Sequence, residues 1–273
     1  MEKKKRIKQL ILYVIITIVC AIMVFPFLWM IATSFKTGVD VYNISLIPEN
    51  PTIKNYIEVW NNSKFPKWFF NSFVVSIITV ISVLFFDSLV GYTFAKLRFR
   101  GRKPLFIAIL STLMVPTEML IIPWFLMINK FGWVNSYWSI LFPGLVSAFG
   151  IFLMRQFFSG IPDDLLDAGR IDGLSEFGVY WHVALPLVRP ALSALAIFTF
   201  LASWNAFLWP VIAIDDPNMY TLPVGVALFS SEVLNEWDLI MTGASIATIP
   251  VIIVFLIFQK RIIEGIQLAG LKG

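Results

Sequence analysis

Residues 71–102 read NSFVVSIITVISVLFFDSLVGYTFAKLRFRGR. From about 69 to 95 the chain is apolar apart from Asn71, a few hydroxyl residues, Lys96 just beyond it and one carboxyl, Asp87. It then delivers Lys96, Arg98, Arg100, Arg102 and Lys103 in quick succession. A hydrocarbon core about 30 Å thick is crossed by roughly 20 apolar residues of helix, so this stretch predicts one complete span and the basic loop at which it leaves the bilayer. Cationic loops of this kind stay on the cytoplasmic side. The stretch therefore sets the fold class as an all-α integral membrane protein.

The rest of the 273 residues agree, with 58% hydrophobic and 14% charged residues and a mean hydropathy of +0.81. Further apolar runs at about 8–33, 104–127, 137–157, 190–213 and 239–260 bring the expected number of transmembrane helices to six. The first follows MEKKKRIKQL, is too long for a signal-peptide core and lacks an A-x-A site, which predicts a retained helix. With the N- and C-termini cytoplasmic, 16 of the 21 Lys and Arg residues fall on the inner side, and nine of the ten tryptophans, all but Trp181, fall toward outer ends of spans. The net charge of +4 is then a signal of topology. It gives no reason to expect nucleic acid as a partner; membrane lipid is the expected surrounding.

The expected organisation is a first helix and extracytoplasmic segment over 1–68, a five-helix core over 69–260 and a cytoplasmic tail over 261–273. Pro48, Pro51 and Pro66 predict little regular structure in the outer segment at 34–68. Cys20 is the only cysteine and follows Val19, which fits neither a disulfide nor a lipid anchor.

The inner segment 158–189 contains DAGRIDGLSEFGVYWHVALP, residues 167–186. Pro162 and the acids Asp163 and Asp164 suit the start of a short helix running to about Asp172. Gly173 suits a left-handed stop and Ser175 a second helix cap, while Pro186 and Pro190 separate that helix from the fifth span. Leu165, Ala168, Gly169 and Asp172 fall on one side of the first helix, and Asp163, Asp167 and Arg170 fall along another. Inside a helix Gly169 costs roughly 1 kcal/mol relative to alanine, which points to a close packing requirement.

This loop resembles the EAA motif of permease subunits of binding-protein-dependent ABC importers. Asp167, Ala168 and Gly169 stand for Glu-Ala-Ala, Gly173 keeps its spacing, and Val183, Leu185 and Pro186 match the Ile-x-Leu-Pro end. MVPTEMLIIPWF, NSYWSILFP, FGIFLMRQFFSGIPDDLLDAGRIDG and SWNAFLWPVI extend the similarity to the sugar-uptake branch, and QKRIIEGIQLAGLKG resembles the end of the shorter maltose-type subunit. The resemblance implies a six-helix type I ABC importer permease fold in a prokaryotic cytoplasmic membrane. It implies a second permease subunit in a heterodimer, two cytoplasmic ATPase subunits and an extracytoplasmic sugar-binding protein. Asp167, Ala168, Gly169, Arg170, Asp172, Gly173, Leu185 and Pro186 would form the region that docks on the ATPase. Mg-ATP would belong to that partner, with no cofactor bound by this chain.

Asp87 and Glu118 are carboxyl groups within predicted spans, where facing lipid costs about 2.5–3.5 kcal/mol, so each is expected to face protein or water. Both are candidates for a translocation path or for structural hydrogen bonds. Pro116 and Pro123 flank Glu118 and predict a bent third helix. Trp204 and Asn205 are candidate sugar contacts, since aromatic faces beside polar groups suit sugars. No G-x-x-x-x-G-K-[ST] sequence occurs, and His182 and Cys20 stand alone as histidine and cysteine, so no catalytic residue or metal ligand set is expected. An ion-coupled carrier using Asp87 and Glu118, and an ABC permease for a polyamine, phosphate or amino acid, are the competing readings.

Overall fold

The computed structural model describes residues 2–61, 63–232 and 236–270. Residues 271–273, the end of the expected tail, and Lys272 among the inner cations lie outside these. The described chain is helical, in two compact units: Met1–Pro66 with Gly225–Ile249, and Lys67–Val224 with Pro250–Gly273.

Among the described residues, three helices are long and apolar enough to cross a membrane individually: α1 (Glu2–Ser34), α3 (Phe65–Lys96) and the last, Trp237–Gly270. The outer segment between the first two carries a 3-10 turn at Gly38–Tyr42 and helix α2 (Lys54–Asn61), more regular structure than its prolines led one to expect. Its order comes from side chains that serve the backbone. The buried Lys36 Nζ donates to the carbonyls of Asn43 and Ser45 at 2.7 Å, and Asn55 Nδ2 donates to those of Ser34 and Lys36 at 3.0 and 2.8 Å.

Between Arg102 and Trp204 the spans are broken. Helix α4 (Arg102–Ser111) and its short extension to Met114 meet the Thr117–Leu120 turn and α5 (Ile121–Lys130) at 94°. Pro116 supplies no N–H there and disfavours helical geometry in Val115, whose φ and ψ are extended, so the expected bend is present. Helix α6 (Tyr137–Leu141), continued by a 3-10 turn to Gly144, meets α7 (Ala148–Ser159) at 43°, a break the apolar run at 137–157 did not announce. Helix α8 (Asp163–Ile171) lies in the inner loop. It is followed by α9 (Glu176–Val179), a π-helical segment Tyr180–Ala184 and α10 (Leu185–Leu187), then by an 82° turn at Val188 into α11 (Arg189–Trp204). The fifth apolar run therefore stops at Trp204 and resumes as α12 (Leu208–Ala213); α13 (Leu222–Glu232) and α14 (Trp237–Gly270) follow.

What closes the second unit is α3. Gly91 lets it approach α7 so closely that a Cβ there would stand 2.8 Å from Met154 Cβ and 2.9 Å from the Arg155 nitrogen. Small residues serve this purpose between membrane helices. The break between α6 and α7 is filled from α3 as well: Ser82 Oγ donates to the Leu145 carbonyl at 2.7 Å, and Asp87 accepts from the Ser147 N–H at 3.1 Å. Asp87 is wholly buried, and Gly150 leaves the space its carboxylate occupies. Ser147 itself caps α7 by accepting from Gly150 N at 2.9 Å.

These contacts make Asp87 a capping residue in the second unit. Asp87→Leu leaves a buried donor unpaired, a loss of about 1–3 kcal/mol, while Asp87→Asn keeps an acceptor oxygen and loses less. Thermal denaturation of the detergent-purified protein should rank wild type above Asp87→Asn above Asp87→Leu; equal midpoints would refute the assignment.

Candidate functional site

The inner loop has a built interior and an exposed outer face. Its secondary structure follows the local chemistry expected of it. Gly173 stands at φ +87°, the left-handed geometry glycine adopts without a Cβ clash. Ser175 Oγ accepts from the Gly178 N–H at 3.2 Å and starts the second helix.

Within that helix–turn–helix, Leu166 and Gly169 point inward. A Cβ on Gly169 would meet Val183 Cγ2 at 3.1 Å and Leu174 and Val179 side chains at 3.5 Å. Gly169 thus sits apart from the outward strip with Leu165, Ala168 and Asp172, and the reason is that α8 must lie close against its own return helix. The outward residues are Leu165, Asp167, Ala168, Ile171 and Asp172, with Ile171 84% exposed. Ile171 was not singled out in the sequence. A large apolar residue closing a short, charged helix two positions before the Gly173 stop is the signal that would have found it. Leu185 and Pro186 are half-buried at the return to the span.

The charges of the loop bind it to itself and to α3. Arg170 donates to Asp167 at 2.5 Å and, through Nε, to Glu176 at 2.7 Å, so it ties α8 to α9. Lys96, at the end of α3, donates to Asp163 at 2.6 Å and to the Ile161 carbonyl at 2.5 Å. Hydrogen bonding from Lys96 holds the Asp163 carboxyl below its usual range, and the same interaction with Arg170 lowers Glu176. For a depressed carboxyl the contribution is complete above the unfolded value and is lost as pH falls through the folded one. These links therefore persist through neutral pH and open only in acid.

A second feature is a cavity of about 430 Å³ in the same unit, lined by residues of α3, α5, α6, α7, α11 and α12 and of the breaks between helices. Its lining is mainly apolar; it includes the aromatic residues Trp124, Phe149, Phe198 and Trp209 and, among hydroxyl residues, Thr79, Thr117, Ser147, Thr199, Ser203 and Thr221. No ionisable side chain lines it among the described residues. The Thr221 hydroxyl is buried without a hydrogen-bond partner.

Four residues considered for the path stand outside that lining. Asp87 is spent on α7, and Glu118 is exposed on the Thr117–Leu120 turn beside the lining Thr117. Trp204 is 2% exposed, stacked on Phe200 and edge-on to Phe69 at ring separations of 5.6 and 5.4 Å. Asn205 donates to the Leu201 carbonyl at 2.9 Å at the end of α11. Their neighbours Ser203 and Trp209 reach the cavity instead, because residue 203 lies one helical step from the packed face that carries Trp204.

Known proteins resemble this chain in sequence and in fold. The family described as binding-protein-dependent transport system inner membrane component matches residues 87–267. The chain is 37% identical over 254 residues to the arabinooligosaccharides transport system permease protein AraQ of Bacillus subtilis, covering 91% of this chain and 90% of that one. It is 33% identical over 278 residues to the trehalose/maltose transport system permease protein MalG of Thermococcus litoralis, covering 100% and 99%. In fold, it superposes with a TM-score of 0.86 on a crystal structure of a bacterial ABC transporter involved in import of the acidic polysaccharide alginate, at 24% identity over 94% of this chain and 97% of that one.

Because Gly169 is buried against Val183, a large side chain there acts first on the loop's own packing. Gly169→Arg should raise amide hydrogen exchange across 163–187, whereas Ala168→Arg, on the open face, should leave it near wild type. Equal protection in Gly169→Arg and wild type would show that the glycine packs nothing.

Proposed function

The chain belongs to the binding-protein-dependent transport system inner membrane component family, and from that premise we propose that it is a permease subunit of an ATP-driven importer for a neutral carbohydrate. As a member of that family it is a multi-pass transporter component of the inner membrane. The observation that carries the sugar reading is the cavity, whose mainly apolar lining combines four aromatic residues with hydroxyl residues and holds no ionisable group among the described residues. Sugars offer hydroxyls to hydroxyl partners and C–H faces to aromatic rings. A polyamine, phosphate or amino acid requires charge that this lining lacks. The arabinooligosaccharide and trehalose/maltose systems named for the relatives point the same way.

In this reading each bent helix pair counts as one crossing, giving six spans, with both termini in the cytoplasm as the distribution of Lys and Arg favours. A second permease chain completes the path as a heterodimer, an extracytoplasmic binding protein delivers the sugar, and two ATPase subunits bind Mg-ATP. The exposed face of α8, with Leu165, Asp167, Ala168, Ile171 and Asp172, enters a groove on one ATPase. Gly169 and Gly173 shape that face from within and at its end, Arg170 braces it, and Leu185 and Pro186 hold the return to the span. ATP-driven closure of the ATPases pushes on α8, and the spans exchange an inward for an outward opening. Glu118, beside Thr117 at the 94° bend, would flank this route rather than line it.

A cysteine at Ala168 should cross-link to its ATPase in the assembled complex, and the cross-link should block uptake. No cross-link despite assembly would contradict the docking assignment. Binding proteins that co-purify with the complex should retain a neutral sugar; retention of a polyamine, phosphate or amino acid would overturn the assignment of cargo.

A further inference from the structure

Ser88, Tyr92 and Lys96 stand four residues apart on α3, a spacing that places them on one face of the helix. Each meets the inner loop at a different point. Ser88 Oγ and Tyr180 Oη are 2.7 Å apart in a buried contact. Tyr92 Oη donates to Glu176 Oε2 at 3.4 Å, and Glu176 is held in turn by Arg170 of α8. Lys96 Nζ reaches the Ile161 carbonyl and Asp163 at the start of α8. Between the polar points Tyr92, Phe158 and Tyr180 pack as a buried aromatic cluster, with centroids 5.4 to 6.3 Å apart. Both ends of α8 are thereby attached to one transmembrane helix.

Stability alone does not account for Lys96. Its partner Asp163 is 71% exposed, and ion pairs with an exposed member contribute little. The lysine side chain is only 7% exposed, however, and it spans two groups on either side of Pro162, the residue before α8. An ammonium anchored this way fixes where α8 begins relative to the end of α3.

We propose that Lys96 is a positioning residue for coupling, through which the stripe Ser88, Tyr92 and Lys96 makes α8 and α3 move as one body. The proposal rests on the docking role given to α8 above and adds the route by which force leaves it. Because α3 also carries Thr79 and Val83 of the cavity wall and the Asp87 cap of α7, a displacement of α8 reaches the cavity through a single helix. Substitutions along a coupling route modulate coupling without touching either ligand.

The test uses the complete complex in proteoliposomes and reads solute taken up per ATP hydrolysed. Lys96→Met keeps the side chain's length and removes its charge. It should lower that ratio about fivefold to tenfold with assembly and ATPase activity in the absence of binding protein preserved. Lys96→Arg, which keeps donors for both the Ile161 carbonyl and Asp163, should recover most of the ratio. A wild-type ratio in Lys96→Met overturns the proposal. Should Lys96→Met fail to assemble, Asp163→Asn decides: a lowered ratio supports positioning, and an unchanged one makes Lys96 a packing residue and sinks the idea. Wild-type complex that couples ATP to a solute other than sugar would overturn the cargo reading alone, because the ratio is read with whichever solute the binding protein holds.

Discussion

A backbone N–H facing hydrocarbon has no water to turn to, and that constraint governs where these spans are allowed to break. The break between α6 and α7 exists because Asp87 and Ser82 of α3 meet the N–H of Ser147 and the carbonyl of Leu145. An aspartate in the middle of an apolar helix looks in isolation like a substrate or proton site. Here its carboxylate is spent on a helix terminus, with Gly150 leaving it room. The ion-coupled reading loses one of its two carboxyl groups on this observation, and the other, Glu118, has an exposed position on a turn.

From that anchor the second unit acquires both of its working features. Broken helices contribute lining residues to the cavity at the levels where their axes change, as Thr117 and Ser147 illustrate. The same helix that mends the break extends past it to Ser88, Tyr92 and Lys96, where it receives the inner loop. Cavity wall, helix cap and loop attachment thus occur along one 32-residue helix. In the proposed reading, that economy is the physical route between an ATPase in the cytoplasm and a sugar in the membrane.

Much of this was readable in the chain. Apolar runs and the basic loop at 96–104 set the class; Gly173, Ser175 and the prolines marked the inner loop, because each acts on backbone close to it in sequence. What the sequence left open were properties of distant pairs. Helical spacing grouped Gly169 with Ala168, yet only the return of residues 179–183 decides which of the two is covered. Trp204 and Ser203 are adjacent, and packing of Trp204 against Phe69 and Phe200 sends the serine to the cavity. Helix α2 was hidden by neighbouring prolines, since the buried Lys36 and Asn55 order that segment from positions no local pattern connects. The stripe at 88, 92 and 96 was not singled out in the sequence, because its partners lie 92, 84 and 65 residues onward.

The central claim is that this chain passes a neutral sugar across the membrane when a separate ATPase works against its inner loop. It is tested most directly by uptake of labelled sugar into proteoliposomes holding the full complex, its binding protein and internal ATP. The account predicts uptake that stops with vanadate, continues when the proton gradient is collapsed, and requires the exposed face of α8. Uptake by this chain alone, or uptake abolished by collapsing the gradient and indifferent to vanadate, would contradict it.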